Sequence, residues 1–364
     1  MITLFFLGFC LSAISMAWLI WRARTHVHRY AHDMPQRFHK GHVPRLGGGG
    51  MLASMLACCA VLAVVGRYLN IQSSYVEVFL PLLLLSPAIV CGIAEDLIQR
   101  IPVRVRLGST LLCAMAVCYL GDLRIDRLDL PWIDGGLLAF PLVGMGLAVV
   151  AIGGLPHAFN IIDGYNGLAG MVAILISLAV VHVALQLGDR QLAAMLVILV
   201  GVTGGFLVWN YPHGKIFAGD GGAYLWGLVI AYGCVALVSR HPSVSPWFPM
   251  LLLCYPVSET LFSIYRKKAR GQSPGMADAL HLHQLIYRRL VRVVLDSDNE
   301  AEEMLMRNNR TSPYLWGVTL MTVVPAVLFW RTSWLLILCS LLFVCLYIGA
   351  YLAIVRFKLP NWRE

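Results

Sequence analysis

Long apolar runs alternate along this chain with short polar ones, and neither the 3.6-residue period of a surface helix nor the two-residue period of a strand accounts for their length. Eleven apolar segments are long enough to cross a bilayer, at roughly 2–21, 47–66, 78–95, 104–121, 138–158, 167–187, 191–210, 220–239, 246–265, 314–330 and 334–355. The pattern predicts an all-α, polytopic integral membrane protein of about 11 transmembrane helices forming one domain over 1–364. An odd number of spans puts the termini on opposite sides. The odd-numbered gaps and the C-terminal tail hold 22 of the 28 Lys and Arg residues, which predicts an outer N-terminus and a cytoplasmic C-terminus.

Two connecting stretches carry a pattern of their own. Between Gly121 and Gly136, Leu123, Ile125, Leu128 and Leu130 alternate with Arg124, Asp126, Arg127 and Asp129, predicting a small hairpin on the outer membrane surface. The largest loop, 266–312, divides into a basic amphipathic part and the acidic run Asp296 to Glu303. Arg288, Arg289 and Arg292 among apolar residues predict a helix over 286–295 lying at the membrane surface.

Composition agrees with the pattern. With 59% hydrophobic and 13% charged residues and a mean hydropathy of +0.73, the chain is too apolar for a soluble domain of this length. The net charge of +9 follows the inter-span loops instead of forming a basic domain, so membrane topology explains it and nucleic acid is not implied. The ten cysteines are scattered, mostly within spans, and support neither a zinc site nor a disulfide framework. The first 20 residues lack a basic start, so they read as a first span and not as a cleaved signal.

Five polar runs at span ends resist a packing explanation, and all fall on the cytoplasmic side of the predicted topology. Phe159-Asn160-Ile161-Ile162-Asp163-Gly164-Tyr165-Asn166-Gly167-Leu168 places a carboxylate and two carboxamides between apolar segments, where they are costly unless used. A turn rich in Asn, Asp and Gly accounts for Gly164 and Gly167, but not for three polar side chains together. Phe217-Ala218-Gly219-Asp220-Gly221-Gly222 sets a hard oxygen donor among glycines, a combination suited to magnesium bridging phosphates, although Asp220 also sits where a helix cap would.

The other three runs are basic or mixed. Glu95-Asp96 precedes Arg100, Arg104 and Arg106: adjacent carboxylates hold one of the pair ready for a proton, arginines bind phosphate oxygens, and a plain cap is the alternative. The loop 33–48, ending in Pro44-Arg45-Leu46-Gly47-Gly48, is either a backbone cradle beside a ligand or simple topology. His281-Leu282-His283 is a weak zinc signal and suits a diphosphate better, with a solvated loop as the alternative.

In this order the runs resemble the polyprenyl-phosphate N-acetylhexosamine-1-phosphate transferase family, over roughly Asp33 to Leu290, with a span layout like its O-antigen and common-antigen initiating branch. The resemblance implies transfer of a sugar-1-phosphate from a UDP-N-acetylhexosamine, GlcNAc by default, to undecaprenyl phosphate at the cytoplasmic face of the bacterial inner membrane. UMP is released and a lipid-linked diphosphate sugar begins a surface glycan such as O-antigen. It implies magnesium, with manganese as a substitute, on Asp220 and Asn160. It also implies Phe217 stacking on uracil, Asp163 and Asn166 lining the nucleotide pocket, and Arg45, Arg104, Arg106, His281 and His283 around the phosphates and sugar.

Glu95, Asp96, Asp163 and Asp220 are then the candidate catalytic carboxylates. Glu95 stands where the family has Asp, Asn166 where Asp is common, and Gln284 where a third histidine is common. A homodimer is a further expectation. The rival reading is a transporter with polar gating residues on the cytoplasmic side, which predicts polar groups near span midpoints and an internal repeat; the sequence shows neither.

Overall fold

The computed structural model describes residues 1–23, 43–68, 74–271, 280–291 and 300–356. Most of the loop 33–48, the segment 272–279, Arg292 and the acidic run up to Asn299 lie outside these residues. Among the described residues the chain is all helical. Its 14 helices begin with α1 (Ile2–Ala23), α2 (Gly47–Tyr68), α3 (Ser74–Ile98), α4 (Val103–Leu120), α5 (Pro131–Ala139), α6 (Pro141–Ile162) and α7 (Leu168–Gln186). They continue with α8 (Arg190–Asn210), α9 (Gly219–Arg240), α10 (Trp247–Leu252), α11 (Cys254–Ala269), α12 (Leu282–Arg289), α13 (Glu300–Leu328) and α14 (Ser333–Arg356). Ten of them are long and apolar enough to span a membrane. The protein is a multi-pass membrane protein.

Local chemistry fixes several helix starts. Pro141 opens α6, where its missing N–H costs nothing, and the Asp189 side chain accepts from Leu192 N at 3.0 Å to cap α8. The ninth predicted span, 246–265, is built of two short helices in place of one long one. Pro256 has no N–H to offer the carbonyl of Leu252, and the segment divides at Leu253 into α10 and α11, neither of spanning length. The hairpin expected over 123–130 is also absent. Its backbone turns instead around Asp134, which accepts from Leu128 N at 2.7 Å and Leu130 N at 3.1 Å, and Arg127 ties it to the carbonyls of Pro242 and Val244.

The centre of the bundle is α9, whose spanning window is 94% buried. A helix enclosed on all sides needs small residues where neighbours cross. Gly227 meets the backbone of Pro156 on α6, and Gly221 meets Ile93 on α3. The outer helix α1 runs parallel to the inner α8, residue for residue: side chains at Gly201 and Gly205 would collide with the backbone oxygens of Phe5 and Phe9, and Trp209 Nε1 donates to Ala13 O at 2.9 Å. The surface helix expected over 286–295 begins earlier and is docked. Leu282 to Tyr287 are buried, and Arg289 donates to the carbonyls of Ile354 and Val355 at the end of α14.

Candidate active site

The C-terminal ends of α3, α6 and α8 and the N-terminal ends of α2, α4, α7 and α9 meet at one end of the bundle. Asp96 on α3 ties them together. It is 3% exposed, and its Oδ1 and Oδ2 accept from the backbone N–H groups of Asp220 and Gly221, each at 2.9 Å. This satisfies two of the orphan donors at the start of α9 and places a negative charge where the helix dipole favours one. The chain reaches Asp96 by a left-handed step at Gly219, φ +69°, where any side chain would run into the carboxylate. Glu95 ties the α3–α4 turn, its Oε2 accepting from Ile101 N at 2.6 Å. Of this acidic pair, Asp96 holds the start of α9 with both oxygens engaged, and Glu95 braces the turn between α3 and α4.

Asp220, in the first turn of α9, pairs with Arg106 on α4. Arg106 is part-buried, and its Nε is buried with no hydrogen-bond partner among the described residues, a guanidinium donor that an anion's oxygen would satisfy. The two arginines proposed for the phosphates separate here, because positions two apart lie on opposite helix faces. Arg104 is exposed and Arg106 faces the site.

Arg45 approaches from the segment before α2, with Nε 3.9 Å from Asp96 Oδ1. That segment pairs its backbone with the strand-like approach to α9: Phe217 N donates to Pro44 O, Gly47 N to Phe217 O and Gly48 N to Ala218 O, each at 2.9 Å. Gly48 lies directly on the backbone of Gly221 and Gly222. These glycines answer to helix contact, and the expected ligand cradle is an α2–α9 seam. Phe217 is half-buried beside it.

Asp163 follows the last turn of α6, one turn beyond Asn160 on the same face. Burial pushes its carboxyl up to about 7, with Arg45 pulling it down and Asp220 pushing it up. Asn210, which accepts from Gly167 N and donates to Ile216 O, holds the turn 163–167 beside the approach to α9, so the two polar runs share one site. His283 joins them from α12: its ring lies over Gly164, where a Cβ would sit 3.0 Å from Nε2, and meets Tyr165 edge-on at 5.6 Å. His281 stacks on His283 with ring centres 5.2 Å apart.

Asn166, expected to line the nucleotide pocket, is hydrogen-bonded to α13. Its N–H donates to Asn308 Oδ1 at 2.8 Å, its Nδ2 to Asn309 Oδ1 at 3.1 Å, and its carbonyl accepts from Ser312 Oγ at 2.6 Å, so it fastens the α6–α7 turn to α13. Sequence reasoning passed over Asn210, which accepts from Gly167 N at 2.7 Å and donates to Ile216 O at 2.8 Å, joining the same turn to the approach to α9. It also passed over His157, which lies one turn before Asn160, shares a 3.2 Å hydrogen bond with Thr110 and meets the Tyr224 ring edge-on at 5.4 Å. His157 sits in apolar sequence with no neighbouring motif, though a histidine at span depth is itself a signal. Glu259, a lone acid in α11, carried the same signal.

No three His, Cys, Asp or Glu side chains converge on one point among the described residues. A magnesium ion does not require that. It takes one or two carboxylates and completes its shell with water and substrate phosphate. Asp220 and Asp163, with the Asn160 amide one turn before Asp163, are oxygen donors that fit such an ion.

The family model for glycosyl transferase family 4 matches residues 78–238. A probable undecaprenyl-phosphate N-acetylglucosaminyl 1-phosphate transferase of Bacillus subtilis is 27% identical over 260 residues, 69% of this chain and 68% of that protein. The undecaprenyl-phosphate alpha-N-acetylglucosaminyl 1-phosphate transferase of Escherichia coli K12 is 24% identical over 259 residues, 69% of this chain and 66% of that protein. The decaprenyl-phosphate N-acetylglucosaminephosphotransferase of Mycolicibacterium smegmatis is 30% identical over 149 residues, covering 35% of this chain and 36% of that protein.

Proposed function

We propose that this chain, which belongs to glycosyl transferase family 4, moves N-acetylglucosamine-1-phosphate from UDP-GlcNAc to a polyprenyl phosphate of the undecaprenyl type. A lipid phosphate oxygen attacks the sugar-bearing phosphorus of the donor, the bond to the UMP oxygen breaks, and a lipid diphosphate sugar forms that starts a surface glycan. The excess of basic residues in the loops on the site's side supports a cytoplasmic-facing site in the bacterial inner membrane.

The single observation that carries the reading is the network Arg45–Asp96–Asp220–Arg106 at the start of α9, with Asp163 beside it. Two anionic reactants repel each other, so the protein must neutralise and align them. Arg106, with a guanidinium donor to spare, suits the donor's diphosphate. Asp220 and Asp163, with Asn160, suit magnesium, or manganese in its place, which when bound neutralises phosphate charge and stabilises the leaving UMP. Phe217 offers a ring to the uracil, and His283 stands over the Asp163 turn where the sugar phosphate would lie. Asp96 acts by holding α9, and so Asp220, in register. A transport path along the bundle has less support, because these groups gather at one end.

Membranes containing the protein, incubated with radiolabelled UDP-GlcNAc, undecaprenyl phosphate and magnesium, are expected to yield labelled lipid and UMP. Asp220→Asn is expected to abolish both. Full activity in that variant or in EDTA overturns the reading of the site.

A further inference from the structure

Glu259 on α11 is 1% exposed, and an ionised side chain so deeply placed is tolerated only when its oxygens are satisfied. Three donors surround it. Oε1 accepts from Leu282 N and is hydrogen-bonded to His281 Nδ1, both at 2.9 Å, and Oε2 accepts from Tyr347 OH at 2.7 Å. With two other donors occupying it, the carboxylate acts as an acceptor toward the imidazole as well, so Nδ1 of His281 carries a hydrogen, while the ring also takes part in the capping box that starts α12.

The His281 ring lies parallel to that of His283, 5° between planes, and His283 in turn covers Gly164, next to Asp163. A continuous line of contacts therefore runs from α14 through α11 and α12 to the turn at the site. An apolar residue here would strand these three donors, so Glu259 caps the start of α12 through Leu282 N and at the same time orients the His281 ring.

We propose that Glu259 is a positioning residue: by taking the Nδ1 hydrogen of His281 it fixes that imidazole's tautomer and plane, and thereby seats the His281–His283 pair against the Asp163 turn where the nucleotide-sugar diphosphate is handled. Tyr347 holds the second oxygen and keeps the carboxylate from turning. The proposal rests on the transferase reading for its kinetic consequence and on geometry alone for its spectroscopic one.

The full-length chain in detergent, as wild type, Glu259→Gln, Glu259→Asp, Tyr347→Phe, His281→Ala and the Glu259→Gln/His281→Ala double variant, tests it. Glu259→Gln is expected to lower kcat about 10–100-fold, the usual loss when the partner of a functional histidine is removed, with KM for the prenyl phosphate unchanged. Glu259→Asp restores part of it, and Tyr347→Phe, which leaves the buried acid in place, loses about three- to tenfold. The double variant is expected to be no worse than His281→Ala, because the two act as one unit. Multiplied losses in the double variant, or a Glu259→Gln enzyme with wild-type kcat and only a lower melting temperature, overturn the proposal.

Nitrogen-15 spectra of labelled histidine rings give a readout without turnover, the His281 signals being assigned by their loss in His281→Ala. Nδ1 is expected protonated in the wild type and shifted in Glu259→Gln. An unshifted signal overturns the proposal even if the wild type transfers sugar; a wild type that transfers none overturns the transferase reading while the shift still decides the role of Glu259.

Discussion

Asp96 and Asp220, 124 positions apart, meet through one 2.9 Å hydrogen bond from the backbone N–H of Asp220 to the carboxylate of Asp96. The second acidic residue is thus aimed by the first. Asp96→Asn keeps one acceptor oxygen but turns an N–H2 donor toward a backbone N–H, leaving a buried amide unmet at a cost of about 1–3 kcal/mol. We expect a melting midpoint lower by several degrees and a loss of transfer, read by thermal unfolding in detergent alongside the radiolabel assay. A variant with wild-type stability would contradict the capping role.

The two arginines of α4 should respond differently. Arg106 contacts Asp220 and lends its fork to the site, so Arg106→Lys, which keeps the charge but not the fork, is expected to cut kcat/KM more than about tenfold, over 1.4 kcal/mol of transition-state stabilisation. Arg104→Ala, on the exposed face, is expected to stay within about twofold of wild type. The reverse ranking would mean that α4 is turned about its axis relative to this arrangement.

Asp163 gives a pH dependence whose sign is fixed. Its carboxyl holds a proton up to about 7 in the folded chain, whereas an unfolded chain releases it near the ordinary carboxylate value, so the folded state binds more protons between those two values. The stability this contributes is complete below the unfolded pKa and is lost as pH rises through about 7. In metal-free buffer the wild-type melting temperature should therefore fall between about pH 5 and 8 more steeply than that of Asp163→Asn. Equal slopes would remove the assignment.

Asn166 is expected to behave as a fastener. Asn166→Ala removes hydrogen bonds to Asn309 and Pro212 and should destabilise the protein by about 1–2 kcal/mol. KM for the nucleotide-sugar in the surviving fraction should not change. A selective rise in that KM would return the residue to the nucleotide pocket.

The spans were readable because twenty apolar residues in a row admit few other fates, and the gathering of polar runs was readable because polar side chains at span ends need a common reason. What escaped was decided by partners far along the chain. Pro256 breaks a segment that hydropathy alone counts as one span. The alternation over 123–130 imitates a strand, yet its backbone donors find Asp134 close by and no second strand. Glu95-Asp96 looked reactive because adjacent carboxylates repel, but repulsion says nothing of the two α9 amides that occupy Asp96. Asn166 could not be told from a ligand-binding amide until Asn308 and Asn309 were seen across from it. Nothing in the sequence around Glu259 announces His281, 22 positions later, as its partner.

Tyr347 stands on the last helix, 88 positions after the Glu259 whose carboxylate it holds. A ribosome therefore releases the whole family-matching region, and the histidines as well, before it has made the hydroxyl that completes their support. A chain halted before Ser333 would carry every carboxylate and arginine of the site yet leave Oε2 of Glu259 without its hydroxyl, so the proposed support of His281 would be complete only once α14 has been made.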